Sequence, residues 1–248
     1  MGIAADLAMT LDPTLLAIRS GLAPDKWQAD LLRSNARQLI LLCSRQSGKS
    51  TTTSFLALHQ AIYQPGSLVL LLAPALRQSQ ELFRKLKSAY NTISDTAPLT
   101  EESALRLEFS NESRIICLPG KEQTIRGFSG VSLLVVDEAS RVEDALYASI
   151  RPMLAVSGGR IILLSTPFGK RGFFFEEWQN GGAAWHRAKV TAEQCPRISR
   201  EFLEQEKRSI GDWWFRQEYL CEFVDSIDQV FSTEDIMRAL DPELKPLF

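Results

Sequence analysis

Ser44-Arg45-Gln46-Ser47-Gly48-Lys49-Ser50-Thr51 is the stretch of this sequence whose residue types most directly suggest a chemistry. Glycine, lysine and a hydroxyl residue in succession, placed after an apolar strand-like run and opening a helical pattern, suit the binding of phosphate groups. Gly48 permits a tight turn, and the loop amides and a helix N-terminus face an anion. Lys49 neutralises charge on terminal phosphates, and the Ser50 hydroxyl can ligate magnesium. Ser44, Arg45, Gln46, Ser47 and Thr51 complete the candidate loop. Such loops commonly open on glycine five positions before Gly48, and here that position is Cys43. The other reading is a chance Gly-Lys-Ser on a surface turn.

A second signal is Leu133-Leu134-Val135-Val136-Asp137-Glu138-Ala139, an apolar run that ends in adjacent carboxylates. Asp137 suits magnesium held through its water shell, and Glu138 suits orienting and deprotonating an attacking water. Alone, such a pair could cap the next helix. In one chain with the phosphate loop, it points to hydrolysis of ATP with Mg2+. Leu163-Leu164-Ser165-Thr166-Pro167 is a third apolar run, ending in small hydroxyl residues where ligands bind in open α/β sheets. Thr166 could bond the γ-phosphate or the attacking water; the plainer reading is a strand exit with Pro167 as breaker. Arg45 lies near enough to reach the γ-phosphate of the same subunit's nucleotide. Arg126, in Arg126-Gly127-Phe128-Ser129-Gly130, could project to a neighbour and act in trans. Either arginine could instead be a surface or ion-paired group.

These residues need strands and helices to bring them together. The runs 38–42, 68–73, 131–136 and 160–164 are short, rich in Leu, Ile and Val and without polar alternation, as strands buried on both faces are. Apolar residues at three and four spacing predict helices over 50–63, 77–90 and 143–154. The alternation predicts an α/β fold of the P-loop NTPase class, ASCE type, with a mainly parallel central sheet flanked by helices. Residues 106–118 read as a hairpin with a polar turn at the sheet edge. Residues 184–190 suit a last strand, and 199–210 and 212–222 suit two helices rich in aromatic residues.

The 248 residues are 45% hydrophobic and 23% charged, with 28 basic and 30 acidic side chains and a net charge of −2. That is ordinary globular composition with no overall basic field, so any contact with nucleic acid must come from local patches. Arg77, Arg84, Lys85 and Lys87 form one candidate patch and Lys170-Arg171 another; solvated faces are the alternative. Cys43, Cys117, Cys195 and Cys221 lack CxxC or histidine spacing, which argues against a zinc site or disulfide framework. No secretory pattern and no apolar run of roughly 18 residues is present, so a soluble intracellular chain without membrane contact is expected. Phe173-Phe174-Phe175 and Trp213-Trp214-Phe215 read as packing residues rather than base-stacking platforms. His59 and His186 receive no role.

Pro24-Asp25-Lys26-Trp27-Gln28, the 44–50 loop, Arg126-Gly127, Val136-Asp137-Glu138-Ala139, Ser165-Thr166-Pro167 and Gln217-Glu218-Tyr219-Leu220-Cys221-Glu222-Phe223 together resemble the ATPase domain of tailed-phage terminase large subunits, from about residue 24 to 231. The resemblance implies that Gln28 contacts adenine, Lys49 and Ser50 serve phosphate and magnesium, Asp137 and Glu138 form Walker B and the catalytic base, Arg45 senses the γ-phosphate, Arg126 acts in trans and Thr166 lies in the coupling motif. It implies a homo-oligomeric ring, usually a pentamer, with a monomer in isolation. The implied partners are double-stranded DNA, the portal protein and the small terminase subunit, in the host cytoplasm at the procapsid portal. The expected ATPase domain is 1–231, with 1–37 carrying Gln28; 232–248 is expected as a tail or start of a linker. Only 25 residues follow Phe223, so no nuclease domain or nuclease activity is expected in this chain. Two other readings remain at this point: a superfamily-2 helicase-like motor lobe, and an ATP-binding regulatory module with little turnover.

Overall fold

Residues 38–43 are buried except at the first position and 68–73 are buried throughout, so both segments must be covered on two faces. The computed structural model, which describes residues 2–93, 97–120, 125, 127–225, 235, 238 and 239, shows how. Its strands are β1 (Gln38–Cys43), β2 (Leu68–Ala73), β3 (Leu99–Ser103), β4 (Arg106–Phe109), β5 (Arg114–Pro119), β6 (Val131–Asp137), β7 (Arg160–Ser165) and β8 (Trp185–Val190). They form one sheet in the order β3-β4-β5-β2-β6-β7-β1-β8. Neighbours from β5 to β8 pair in parallel, and β4 is antiparallel to both β3 and β5.

The helices are α1 (Ile3–Leu11), α2 (Pro13–Arg19), α3 (Lys26–Arg33), α4 (Lys49–Tyr63), α5 (Leu76–Asn91), α6 (Asp144–Ile150), α7 (Gly172–Asn180) and α8 (Arg200–Glu218). Strand side chains alternate between two cores. Leu39, Leu41, Val69, Leu71, Leu133 and Val135 pack with Leu16, Leu31, Leu58 and Leu86 of α2 to α5. Ile40, Leu42, Leu70, Leu72, Leu134 and Val136 pack with Leu146 and Ile150 of α6 and Phe173 and Phe174 of α7. A Leu→Ala change in either layer should cost about 2–5 kcal/mol.

The expected strands and the hairpin at 106–118 are present, and three features differ from the sequence reading. β3 is an additional edge strand that was not expected; only Leu99 is even half-buried, and charged Glu101 and Glu102 suit an unpaired edge. The helix expected over 143–154 is α-helical to Ile150 and then tightens into a 3-10 turn, Arg151–Leu154. Pro152 has no N–H to continue the ladder. The two C-terminal helices are one element, α8, broken at Gly211 (φ 81°), and it ends at Glu218 rather than at 222. Helices α1 to α3 and α7 were not assigned from sequence.

Asp12 accepts a bond from the Thr14 N–H at the start of α2 and is forked by Arg33; the Arg33 hydrogen bond holds its carboxyl down at about 2. All four cysteines are buried and unpaired. Among the described residues no helix is long and apolar enough to cross a membrane. Arg126 and the boundary expected at 231 lie outside the described residues.

Candidate active site

Strand order alone brings the three motif ends together. β7 lies between β1 and β6, with Leu42 opposite Ser165 and Asp137 opposite Leu164. The loop after β1, the turn after β6 and the exit of β7 therefore open into one crevice at the C-terminal edge of parallel strands, where an open α/β sheet binds ligands.

The loop is tied down before it reaches that crevice. Ser44 N–H donates to Val190 at 2.9 Å and Arg45 N–H to Glu218 at 3.1 Å, and Ser47 Oγ donates to the Ser44 carbonyl at 3.0 Å. Ser44 and Ser47 are fully buried, so of the expected loop residues these two hold shape rather than face the opening. Gln46 (φ 56°) and Gly48 (φ 93°) make the left-handed turns that start α4 at Lys49. The first amides of α4 have no intrahelical partner and can meet an anion.

The resulting cleft encloses about 560 Å³. Arg45, Gln46, Gly48, Lys49 and Ser50 line it from the loop, and Glu138 and Thr166 from the strand ends. Gln78 and Lys85 from α5, and Arg141, also line it, and the motif reading had not placed them there. Thr51 is half-buried on α4 outside this lining. Gln28 is buried, with its amide nitrogen 2.8 Å from where a Cβ on Gly48 would stand, and the φ of 93° at Gly48 is what makes any other residue there strained.

Lys49 is 8% exposed and its Nζ lies 3.0 Å from Glu138 Oε1. Burial pulls the ammonium's pKa down, but the facing Glu138 and Asp137 more than offset it and the net shift is upward. Burial pushes the Asp137 carboxyl up, against the pull of Lys49 and of Ser50, whose Oγ donates to Asp137 Oδ2 at 2.8 Å. Glu138 N–H donates to Asp137 Oδ1 at 3.0 Å. Glu138 itself has φ 51° and ψ 42°, a left-handed conformation that costs on the order of 1 kcal/mol for a non-glycine residue and here turns its carboxylate to Lys49.

A hydroxyl chain runs beside it. Ser140 Oγ bonds Ser165 Oγ at 2.7 Å and donates to the Thr166 carbonyl at 2.8 Å, while Ser165 Oγ lies 3.4 Å from Glu138 Oε2. Arg45 is turned toward the closing helix: its Nε donates to Glu218 Oε2 at 2.6 Å. Glu218, 6% exposed at its side chain, also lies 3.8 Å from Arg141 Nη2. The Arg141 guanidinium stacks over Phe168 at 4.3 Å.

A glycine-lysine-serine loop, two terminal carboxylates and a hydroxyl exit share one edge, an arrangement whose chemistry suits a phosphate-bearing ligand. Residues 40–238 match the family described as "Terminase large subunit, T4likevirus-type, N-terminal". The chain belongs to this terminase family. It is similar to the terminase large subunit of Thermus phage G20c, 27% identical over 90% of this chain and 53% of that protein. The chain thus spans about half the length of the curated terminases it matches. Among solved structures, the large terminase ATPase domain of Thermus phage P74-26 superposes with a TM-score of 0.75 at 23% identity, covering 84% of this chain and 97% of that domain. The large terminase of the thermophilic bacteriophage D6E, solved in complex with ADP, superposes at 0.70 and 15% identity, covering 81% of this chain and 54% of that one. At these identities the likeness is one of fold.

Within this terminase fold the candidate DNA patches separate. Lys85 faces the phosphate cleft, Lys87 pairs with Glu102, Arg84 pairs with Glu81 at 2.5 Å and Lys170 with Asp225 at 2.9 Å. Arg77 is exposed on α5, and Arg171 lies over the Phe168 ring at 5.0 Å. Phe173, Phe174 and Phe215 are buried as packing residues, whereas Trp214 is 42% exposed. Glu218, Ser140, Arg141 and Arg197 are site neighbours that motif reading assigned no role. Glu218 was at least quoted within the terminase resemblance; Arg197 carried no signal.

Proposed function

We propose that residues 1–231 form an ATPase domain that binds ATP with magnesium, hydrolyses it and serves as the motor of a large terminase moving double-stranded DNA into a procapsid. The observation that carries this reading is Lys49, buried at the crevice between Glu138, at 3.0 Å, and the Asp137–Ser50 pair. Lys49 and the amides opening α4 receive the β- and γ-phosphates. The Ser50 hydroxyl and Asp137 carboxylate, 2.8 Å apart, form an all-oxygen donor pair that fits Mg2+, which takes few protein ligands and keeps waters and phosphate oxygens. Bound there, the ion neutralises charge developing on the transferred phosphoryl group. Glu138 orients the attacking water and takes its proton. Gln28 meets the base, Arg45 the γ-phosphate, and Thr166 couples the site to the β7 exit. Arg126 is assigned to a neighbouring subunit's site, which makes a ring of copies, five in the family's usual arrangement, the active form.

Membership of the terminase family supports the cellular setting: portal protein and small terminase subunit as partners, in the host cytoplasm. The test is Mg2+-dependent ATP hydrolysis of the purified chain over a concentration series. Turnover lost in Glu138→Gln, and rising more than linearly with concentration unless Arg126→Ala is present, is the expected result. ATP binding with no turnover at any concentration would refute the hydrolytic reading.

A further inference from the structure

Arg197 stands outside every motif, in the turn between the buried Cys195 and Ser199, the N-cap of α8. Its guanidinium nevertheless touches two segments that flank the nucleotide cleft. Nη1 donates to Asp25 Oδ1 at 2.9 Å and Nη2 lies 2.8 Å from Oδ2, the latter an ionic contact rather than a directed hydrogen bond. Nη2 also donates to the Ser47 carbonyl at 2.9 Å. Asp25 in turn aims Gln28: the Asp25 N–H donates to Gln28 Oε1 at 2.8 Å. Gln28 Nε2 and Arg197 Nη2 converge on Gly48, 2.8 and 3.4 Å from where its Cβ would stand.

We propose that Arg197 is a positioning residue of the nucleotide site, which through Asp25 fixes the base-side Gln28 against the phosphate loop and so sets the spacing between base and phosphates. The inference rests on the reading of Gln28 as the base contact. A planar guanidinium donates from two nitrogens in fixed directions, Nη1 to the Asp25 carboxylate and Nη2 to the Ser47 carbonyl, a span that the single nitrogen of a lysine ammonium does not reproduce. The phosphate loop does not depend on Arg197 alone, because Val190, Glu218 and Ser44 also hold it. Removing Arg197 should therefore loosen the base side and leave phosphate binding nearly intact, because ordering Gln28 then falls to the ligand.

The test is equilibrium binding of ATP and of inorganic tripolyphosphate, each with Mg2+, to the full chain and its variants, alongside thermal unfolding. Arg197→Ala and Arg197→Lys should each weaken ATP by about tenfold and tripolyphosphate by no more than about twofold. Adding Arg197→Ala to Gln28→Ala should cost ATP less than about twofold, because the two act through one contact. Wild-type binding of ATP with Arg197→Ala unchanged overturns the inference alone. Equal weakening of both ligands with a lowered unfolding midpoint also overturns it, in favour of a purely structural tie. A wild-type chain that binds tripolyphosphate as tightly as ATP overturns both the inference and the base-contact reading.

Discussion

Two cations of one loop meet their carboxylates in opposite ways. Lys49 is the buried member of its pair, with its side chain 10% exposed against 24% for Glu138. For Arg45 the order is reversed, with the arginine 61% exposed and Glu218 only 6%. A buried ammonium facing two carboxylates has no solvent to turn to, so its charge belongs to the fold and to the site together. Arg45 keeps much of its side chain in water and can leave Glu218 for another anion, at the cost of taking one partner from a buried carboxylate. Glu218 would then retain Arg141 at 3.8 Å and the Gln217 amide at 3.3 Å. One loop thus carries a fixed cation and a transferable one.

Lys49→Ala strikes the fixed member and should have the largest effect. ATP affinity should fall at least about a hundredfold and stability near neutral pH by about 3 kcal/mol, read by titration and denaturant unfolding. The pH dependence has a definite sign. Burial holds Asp137 above the usual carboxylate range, and a carboxyl with a raised folded pKa favours the fold in acid and loses that contribution as pH rises through the raised value. Without Lys49 the rise is larger, so the deficit of the variant should shrink as pH falls from about 8 to about 5. A deficit constant across that range would break the contrast between the two pairs.

Glu138→Gln keeps the shape and removes the proposed base. Hydrolysis should fall by about 10²–10⁴ with ATP affinity within about threefold of wild type. Glu218→Gln frees the transferable cation, and ATP affinity measured by calorimetry should rise about threefold or more, since Arg45 no longer has to exchange one anion for another. A loss of affinity would mean that Glu218 holds the loop in shape instead. The smallest effect belongs to the exposed Asp12–Arg33 pair far from the cleft, with Arg33 56% exposed. The Arg33 hydrogen bond lowers Asp12 from 3.8 to about 2, so its contribution is present above the unfolded value and is lost as pH falls through the folded one. Asp12→Asn should flatten that acid limb and change stability near neutral pH by less than about 1 kcal/mol.

The fixed pair was readable in the sequence and the transferable one was not, for a physical reason. Asp137 and Glu138 sit where an apolar run ends and Lys49 lies just beyond another, and short runs buried on both faces in strand-to-helix alternation are enough to bring strand ends to one edge. Arg45 meets Glu218 across 173 residues of sequence, at the far end of a helix that breaks at Gly211. Arg197 is less legible still, because a turn arginine has no periodicity and its partner Asp25 caps α3, a helix whose short apolar pattern does not announce it. β3 escaped notice because an exposed, charged edge strand lacks the apolar pattern by which strands are found.

The four unpaired cysteines have a practical consequence. Cys43 and Cys117 are wholly enclosed and Cys195 and Cys221 are 1% exposed, and burial raises the pKa of every one of these thiols. A maleimide or disulfide reagent can react only with thiolate that has reached solvent, so the folded chain should label slowly and each reacted sulfur should time an opening event. Cys43 ends β1 next to the loop, Cys221 lies just past α8, and Cys117 sits in β5 away from both, so peptide-resolved labelling should report three regions without an added probe. A ligand that binds only the closed form should slow those clocks by a factor of 1 + [L]/Kd wherever opening abolishes its site.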